Sequence, residues 1–180
     1  YPVVDDSILF YVKSDAYVWN TQYTEFSEEY KERYNQEDER GRFYWDNLGT
    51  YSEETLQRLI EEDRIRLPLV EGKNPRYKNY LHERKGVVVD NLWTDITPIN
   101  SQAIESLNYP TQKPEALVER ILRASSNPSS LVLDSFVGSG TTAAVAQKLG
   151  RRWIAADINK GAIQTTSKRL QTIIQEQIEA

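Results

Sequence analysis

The run Leu131-Val132-Leu133-Asp134, followed at once by Ser135-Phe136-Val137-Gly138-Ser139-Gly140-Thr141-Thr142, constrains the fold more than any other stretch of the chain. A short apolar run closed by a glycine turn predicts a strand of a buried parallel sheet. Small residues around 141–149 predict a closely packed helix, and Trp153-Ile154-Ala155-Ala156-Asp157 predicts a second strand. Residues 160–178 predict a final amphipathic helix with Ile163, Leu170, Ile173 and Ile174 inward. Strand, turn, helix, strand, helix is a nucleotide-binding half-unit. The expected class is therefore α/β and Rossmann-like.

The same stretch carries the chemistry. Gly138 and Gly140 let the backbone turn tightly and let a ligand lie against it. The helix that follows presents unpaired backbone N–H groups at that turn. Asp157, ending the second strand, is placed to accept hydrogen bonds from the two ribose hydroxyls of an adenosine, with Ile158 beyond it to pack on the adenine face. Gly138-x-Gly140-x-x-Ala143 also fits a dinucleotide fingerprint. Against that reading, Asp134 and Phe136 stand between the strand and the first glycine, where the dinucleotide fold turns directly. A tight turn with no ligand is the plain alternative.

Upstream, residues 7–13 are β-branched and aromatic and predict a buried strand. Residues 27–39, acidic with Tyr30 and Tyr34 four apart, predict a solvated helix. Residues 40–51 are aromatic and broken by Gly41 and Gly49, which predicts irregular structure. Ser52 suits the N-cap of a helix with Leu56, Leu59 and Ile60 inward. Pro68, Gly72 and Pro75 mark a basic loop. A further helix is expected near Pro114, with Leu117, Ile121 and Leu122 inward, ended by Ser125-Ser126-Asn127-Pro128-Ser129-Ser130.

Net charge is −5, which alone does not point to nucleic acid, but the average hides a segregation. Residues 24–63 carry thirteen acids against five bases, whereas residues 64–85 carry seven bases against two acids. The bases are Arg64, Arg66, Lys73, Arg76, Lys78, Arg84 and Lys85, interleaved with Tyr77 and Tyr80. Such a segment suits phosphate contacts, and a solvated basic loop is an equal reading from composition alone. Cysteine is absent and His82 is the single histidine, so no metal site is expected. No apolar run approaches the roughly 20 residues of a membrane span, and the start lacks the features of a secretion signal. A cytoplasmic location without membrane contact is the expectation. Methionine is absent even at position 1, so a piece of a longer protein is expected.

The segment Asn108-Tyr-Pro-Thr-Gln-Lys-Pro114, together with Asp134-Ser-Phe-Val-Gly-Ser-Gly-Thr-Thr142, resembles the β-type amino-methyltransferases of DNA. Lys78-Asn-Tyr-Leu-His-Glu-Arg-Lys-Gly86, Leu92-Trp-Thr-Asp-Ile-Thr-Pro-Ile-Asn100 and Gly41-Arg-Phe-Tyr-Trp-Asp-Asn-Leu48 look like the modification subunits of type III restriction systems. The loop of that family reads D-P-F-x-G-S-G-T, and here Ser135 replaces the proline. The resemblance implies an S-adenosylmethionine-dependent methyltransferase fold, incomplete, with an inserted mixed target-recognition region. It implies that Asp134, Phe136, Gly138, Ser139, Gly140 and Thr141 line the methionine end of S-adenosylmethionine. Thr111, Gln112 and Lys113 would close over that end, and Asp157 with Ile158 would hold the adenosine.

The resemblance divides the chain into residues 1–18 as the last strand of a catalytic half, 19–92 as target recognition and 93–180 as the cofactor-binding half. It implies methylation of the exocyclic amine of adenine in DNA. Cytosine-N4 methylation is the near alternative, and a non-catalytic DNA- or cofactor-binding module is the distant one. The family's [D/N/S]-P-P-[Y/F/W] motif is missing, since no Pro-Pro pair occurs; Asn74-Pro75-Arg76-Tyr77 is a superficial relative. In the β order that motif precedes the recognition region, so no catalytic residue is expected within residues 1–180 and the chain alone should be inactive. Expected partners are double-stranded DNA, the rest of the catalytic half or a complementary chain, and a second copy or a restriction subunit.

Overall fold

A computed structural model describes residues 6–68, 73–100 and 102–179. The chain divides into two compact units, one spanning Tyr23–Val88 and the other formed by the flanking segments.

The inserted unit starts and ends on one ladder. Strand β1 (Tyr23–Thr24) pairs antiparallel with β6 (Val87–Val88), so the insertion leaves and rejoins the chain at neighbouring points. Gly86 is required there. Its φ is 122°, and a Cβ would lie 2.2 Å from the Thr24 carbonyl oxygen. Between these ends come a short helix α1 (Glu28–Lys31), β2 (Gln36–Asp38), β3 (Gly41–Asn47), helix α2 (Glu53–Glu61), β4 (Ile65–Arg66) and β5 (Arg76–Tyr80). The four longer-range strands form an antiparallel sheet in the order β2-β3-β5-β4. Its register sets Phe43 opposite Tyr80 and Trp45 opposite Lys78. Ser52 caps α2 as expected, accepting from the Thr55 N–H. Tyr34, Phe43, Leu59 and Tyr80 form the buried apolar set.

Three expectations fail in this unit. The helix over 27–39 shrinks to one turn, and residues 36–38 pair with β3 instead. Tyr34 is fully buried, and the turn to Gly41 (φ 123°) closes a hairpin that a continued helix would forbid. Residues 41–47 are a strand rather than irregular structure, because Phe43 and Trp45 alternate with Tyr44 and Asp46 across the sheet. The basic loop ends earlier than expected, since Arg76–Tyr80 is a strand; Gly72 lies outside the described residues.

In the other unit, helix α3 (Glu115–Ser125) is followed by β7 (Leu131–Asp134), α4 (Thr141–Lys148), β8 (Arg152–Ala155) and α5 (Lys160–Glu179). Strands β7 and β8 are parallel, with Asp134 opposite Ala155. Pro114 sits at the start of α3, where its missing N–H costs nothing. Ala143, Ala144, Val145 and Ala146 of α4 are buried, and their small size lets the helix lie close to the sheet. Val132, Trp153 and Ala155 pack on the covered side; Leu131, Leu133 and Ile154, on the other face, are 56%, 65% and 53% exposed. The inward face of α5 is Ala162, Thr166, Leu170 and Ile173, rotated from the expected one so that Ile163 and Ile174 are exposed, and it sets Thr166 against the glycine turn.

Residues 7–13 do not form a strand. Ile8, Leu9, Phe10, Tyr11 and Val12 are exposed and pair with no ladder among the described residues. A strand-like composition without a neighbouring strand leaves the backbone N–H and C=O groups to water. Asn20 is anchored to this unit, not to the insertion, by bonds to the carbonyls of Ala124 and Arg123. Among the described residues no helix is long and apolar enough to cross a membrane.

Candidate cofactor site and basic sheet surface

The site forms where β7 and β8 end side by side. The Asp134 carboxylate accepts from the Phe136 N–H at 3.0 Å, which starts the turn. The Val137 N–H then donates to the Ala156 carbonyl, tying the turn to the chain beyond β8. Gly138 and Gly140 have φ of 51° and 82°, a left-handed conformation that glycine adopts without a side-chain clash. At Gly140 a Cβ would also meet Thr166 Oγ1 at 2.7 Å and Thr166 Cα at 3.0 Å. Gly140 sits at the N-cap of α4 with no side-chain cap, so that end of the helix keeps unpaired N–H donors.

Asp157 faces this turn from two residues past the end of β8, which stops at Ala155 where the residues predict a strand to Asp157. Its Oδ2 accepts from the Gly138 N–H at 2.9 Å and its Oδ1 from the Asn159 N–H at 2.8 Å. The Asn159 and Gly138 amides hold its carboxyl below the ordinary carboxylate range, so it is an anion with lone pairs to spare. Around it stand two large apolar side chains in solvent, Phe136 at 87% and Ile158 at 101% exposure. Apolar groups flanking a fixed carboxylate and a donor-rich turn suit a ligand with an apolar ring and a polar sugar.

The segment before α3 closes on the same turn. Lys113 donates nothing to it through its ammonium, which bonds Asp6 at 2.9 Å; its backbone carbonyl instead accepts from Thr141 Oγ1 at 3.3 Å. Ser139 and Thr141 share a hydroxyl contact at 3.1 Å and are buried. Gln112 departs from the expected role. Its amide is spent on the Leu107 N–H and the Glu105 carbonyl, so it shapes the loop rather than facing a ligand. Thr111 is exposed. Sequence reasoning missed Tyr109, whose ring would lie 3.5 Å from a Cβ on Gly138; an aromatic before Pro-Thr-Gln-Lys-Pro was the signal.

The basic residues of the inserted unit separate into two groups. Arg64 is buried, and its guanidinium is filled by Glu83 at 2.7 Å, Glu62 at 3.1 Å and the Lys78 carbonyl at 2.8 Å. That corrects its expected place among phosphate contacts: a buried, fully bonded guanidinium has no donor left to give. Lys78 is likewise held, by Asp38 at 2.9 Å. Arg66, Lys73, Arg76, Arg84 and Lys85 are exposed. Arg66 and Arg76 lie directly opposite each other on β4 and β5, and neither has an ion-pair partner among the described residues. Like charges in that relation destabilise a sheet. Trp45 stands beside them, with the Arg66 guanidinium 5.8 Å from its ring.

Parallel strands ending at a glycine turn, with an acid just past the second strand, define an α/β module of the nucleotide-cofactor class. The DNA methylase family matches residues 1–168, and the chain belongs to that family. It is 46% identical over 98 residues to the DNA adenine methyltransferase YhdJ of Escherichia coli K12, covering 54% of this chain and 32% of that protein. It is 30% identical to the type II methyltransferase M.EcaI of Enterobacter cloacae over 92% of this chain and 42% of that protein. The chain thus spans less than half the length of these curated relatives. Among solved structures, an M1.HpyAVI–SAM complex is 23% identical with a TM-score of 0.38, covering 71% of this chain and 72% of that one.

Proposed function

We propose that this chain is the cofactor-binding and DNA-recognition part of an S-adenosylmethionine-dependent methyltransferase acting on the exocyclic amine of adenine in DNA. The observation that carries this reading is the convergence of three separate segments on one turn: the Gly138–Gly140 backbone, the Asp157 carboxylate and the Tyr109–Lys113 approach. Asp157 would accept from the ribose hydroxyls, Ile158 would cover the adenine, and the turn with the N-terminus of α4 would hold the methionine end. The cofactor supplies an electrophilic methyl group; the residues of this chain bind and orient it. Adenine as the target follows the YhdJ likeness. The sequence holds no Pro-Pro motif to present the target amine, so the chain by itself binds without transferring methyl.

DNA would lie on the sheet surface of Arg66 and Arg76, with Lys73, Arg84 and Lys85 adding phosphate contacts. A phosphate between Arg66 and Arg76 would relieve their mutual repulsion. The expected partners are double-stranded DNA and a chain that supplies the catalytic motif.

Calorimetric titration with S-adenosylhomocysteine tests the cofactor reading. Saturable binding is expected, with at least a tenfold loss in Asp157→Asn and no binding of NAD. Binding of NAD in place of S-adenosylhomocysteine would overturn the proposal in favour of a dinucleotide enzyme.

A further inference from the structure

The two carbonyls of the glycine turn are gripped from one helix. Thr166 Oγ1 donates to the Gly138 carbonyl at 3.3 Å. One turn further along α5, Arg169 Nη1 donates to the Ser139 carbonyl at 3.1 Å and to Thr141 Oγ1 at 3.2 Å. The other arm of the same guanidinium donates to Glu115 at 2.7 Å. Glu115 opens α3, and its second oxygen accepts from Lys148 at 2.6 Å. The Arg169 side chain is 8% exposed.

A buried ion pair is a poor source of stability, because desolvation offsets most of the attraction and an apolar replacement often does as well. A guanidinium offers something an apolar side chain lacks, a planar fork of donors with fixed directions. Here the fork spans two segments that the proposed cofactor site needs in one arrangement: the turn after β7 and the start of α3, which follows directly on Tyr109–Pro114. Lys148 and Glu115 keep the fork from rotating. Burial alone would raise the Glu115 carboxyl, but the bonds from Lys148 and Arg169 outweigh it and keep the group ionised.

We infer that Arg169 is a positioning residue for cofactor binding, fixing the Ser139–Thr141 backbone against the start of α3 without touching the ligand. This inference rests on the proposed cofactor reading. It predicts a selective defect. Adenosine reaches only the Asp157 end of the site, whereas S-adenosylhomocysteine also needs the turn.

The test compares Arg169→Met and Arg169→Lys with the unmodified protein, titrating each with both ligands and recording thermal unfolding. Arg169→Met is expected to weaken S-adenosylhomocysteine at least tenfold and adenosine less than twofold. Arg169→Lys keeps a charge for Glu115 but loses the fork, so it is expected to restore the unfolding temperature and not the affinity. Equal loss of both ligands, full rescue of affinity by lysine, or no loss at all would each overturn the inference. Amide hydrogen exchange supplies a readout free of ligand. The Ser139–Thr142 amides are expected to exchange at least tenfold faster in Arg169→Met, with Val132 and Leu133 unchanged. Should the unmodified protein bind neither ligand, the cofactor reading fails, and exchange alone decides the positioning role: uniform exchange across both regions would refute it.

Discussion

The helix-on-sheet core around β7 and β8 is built of alanines and aliphatics, with its buried polar groups gathered near its edges, whereas the core of the unit from Tyr23 to Val88 is built around Tyr34, Tyr80, Asn79 and Arg64. In the first, Ala143, Ala144, Val145 and Ala146 bring a helix close to a parallel sheet, and the polar side chains Asp134, Asp157, Thr166 and Arg169 gather at the glycine turn beside that core. In the second, Asn79 donates to Tyr44, Asp46 and Tyr77, and Arg64 fills a pocket of carboxylates. A core of the first kind is sensitive to side-chain volume. A core of the second kind is sensitive to charge and to the loss of any one partner.

The largest expected effect breaks the polar unit. Arg64→Met leaves Glu62 and Glu83 facing each other beside Tyr80 without their shared cation. Arg64 is buried while its carboxylates are partly solvated, so the loss is placed at the low end for a broken buried pair, about 3 kcal/mol. Urea unfolding followed by near-ultraviolet dichroism would show it, with S-adenosylhomocysteine affinity unchanged. A loss under about 0.5 kcal/mol, the value for a surface pair, would show that the cluster is solvated.

The counterpart in the other unit is a change of volume alone. Ala146 is fully buried between α3 and the sheet. Ala146→Leu is expected to cost about 2 kcal/mol through overpacking, with no dependence on salt or pH. If the cost instead varied with ionic strength, the distinction between the two cores would fail.

Acid should act on the polar core as well. Asp38 bonds Lys78 and the Tyr80 hydroxyl, and the Lys78 bond above all lowers its carboxyl from 3.8 to about 2. A carboxyl depressed in the folded state adds stability above its unfolded value and loses it as pH falls through the folded one. The contribution is therefore complete above about pH 4 and lost towards pH 2. In a pH series of urea midpoints, Asp38→Asn should flatten this part of the acid dependence. An unchanged slope would mean that Asp38 does not titrate in that window. The effect is smaller than that of Arg64, because Asp38 is partly exposed and solvent screens it.

The same contrast explains what could be read from the residues alone. The order strand, turn, helix, strand, helix over 131–178 was legible because each element announces itself locally: an apolar run, two glycines, a stretch of small residues. That Gly138, Gly140 and Asp157 meet at one turn was legible for the same reason. The inserted sheet was not. Residues 36–38 and 41–47 become strands by pairing with each other, and 41–47 also with Arg76–Tyr80, 29 to 37 residues on, and no local period records such a partner. Arg64 and Arg76 are alike in sequence; only the fold makes one a buried strut and the other an exposed charge. The family resemblance alone made Gln112 a ligand contact, and the loop of Glu105 and Leu107 that its amide bonds has no pattern of its own. Residues 7–13 show the reverse error, a strand composition with no paired strand among the described residues.

The smallest expected effect is also the one that ties the polar unit to function. Arg66 and Arg76 face each other across β4 and β5, and a sheet selected for stability alone would not place two cations there. Arg66→Thr removes one charge and installs a β-former, so it should stabilise the unit by about 0.5 kcal/mol. The same change should weaken binding to duplex DNA and lower the slope of log affinity against log salt by about one. The two measurements must move in opposite directions. Greater stability with unchanged DNA binding would leave the cation pair unexplained and remove the DNA surface from β4 and β5; lower stability would mean that Arg66 is held through Trp45 and belongs with the buried struts.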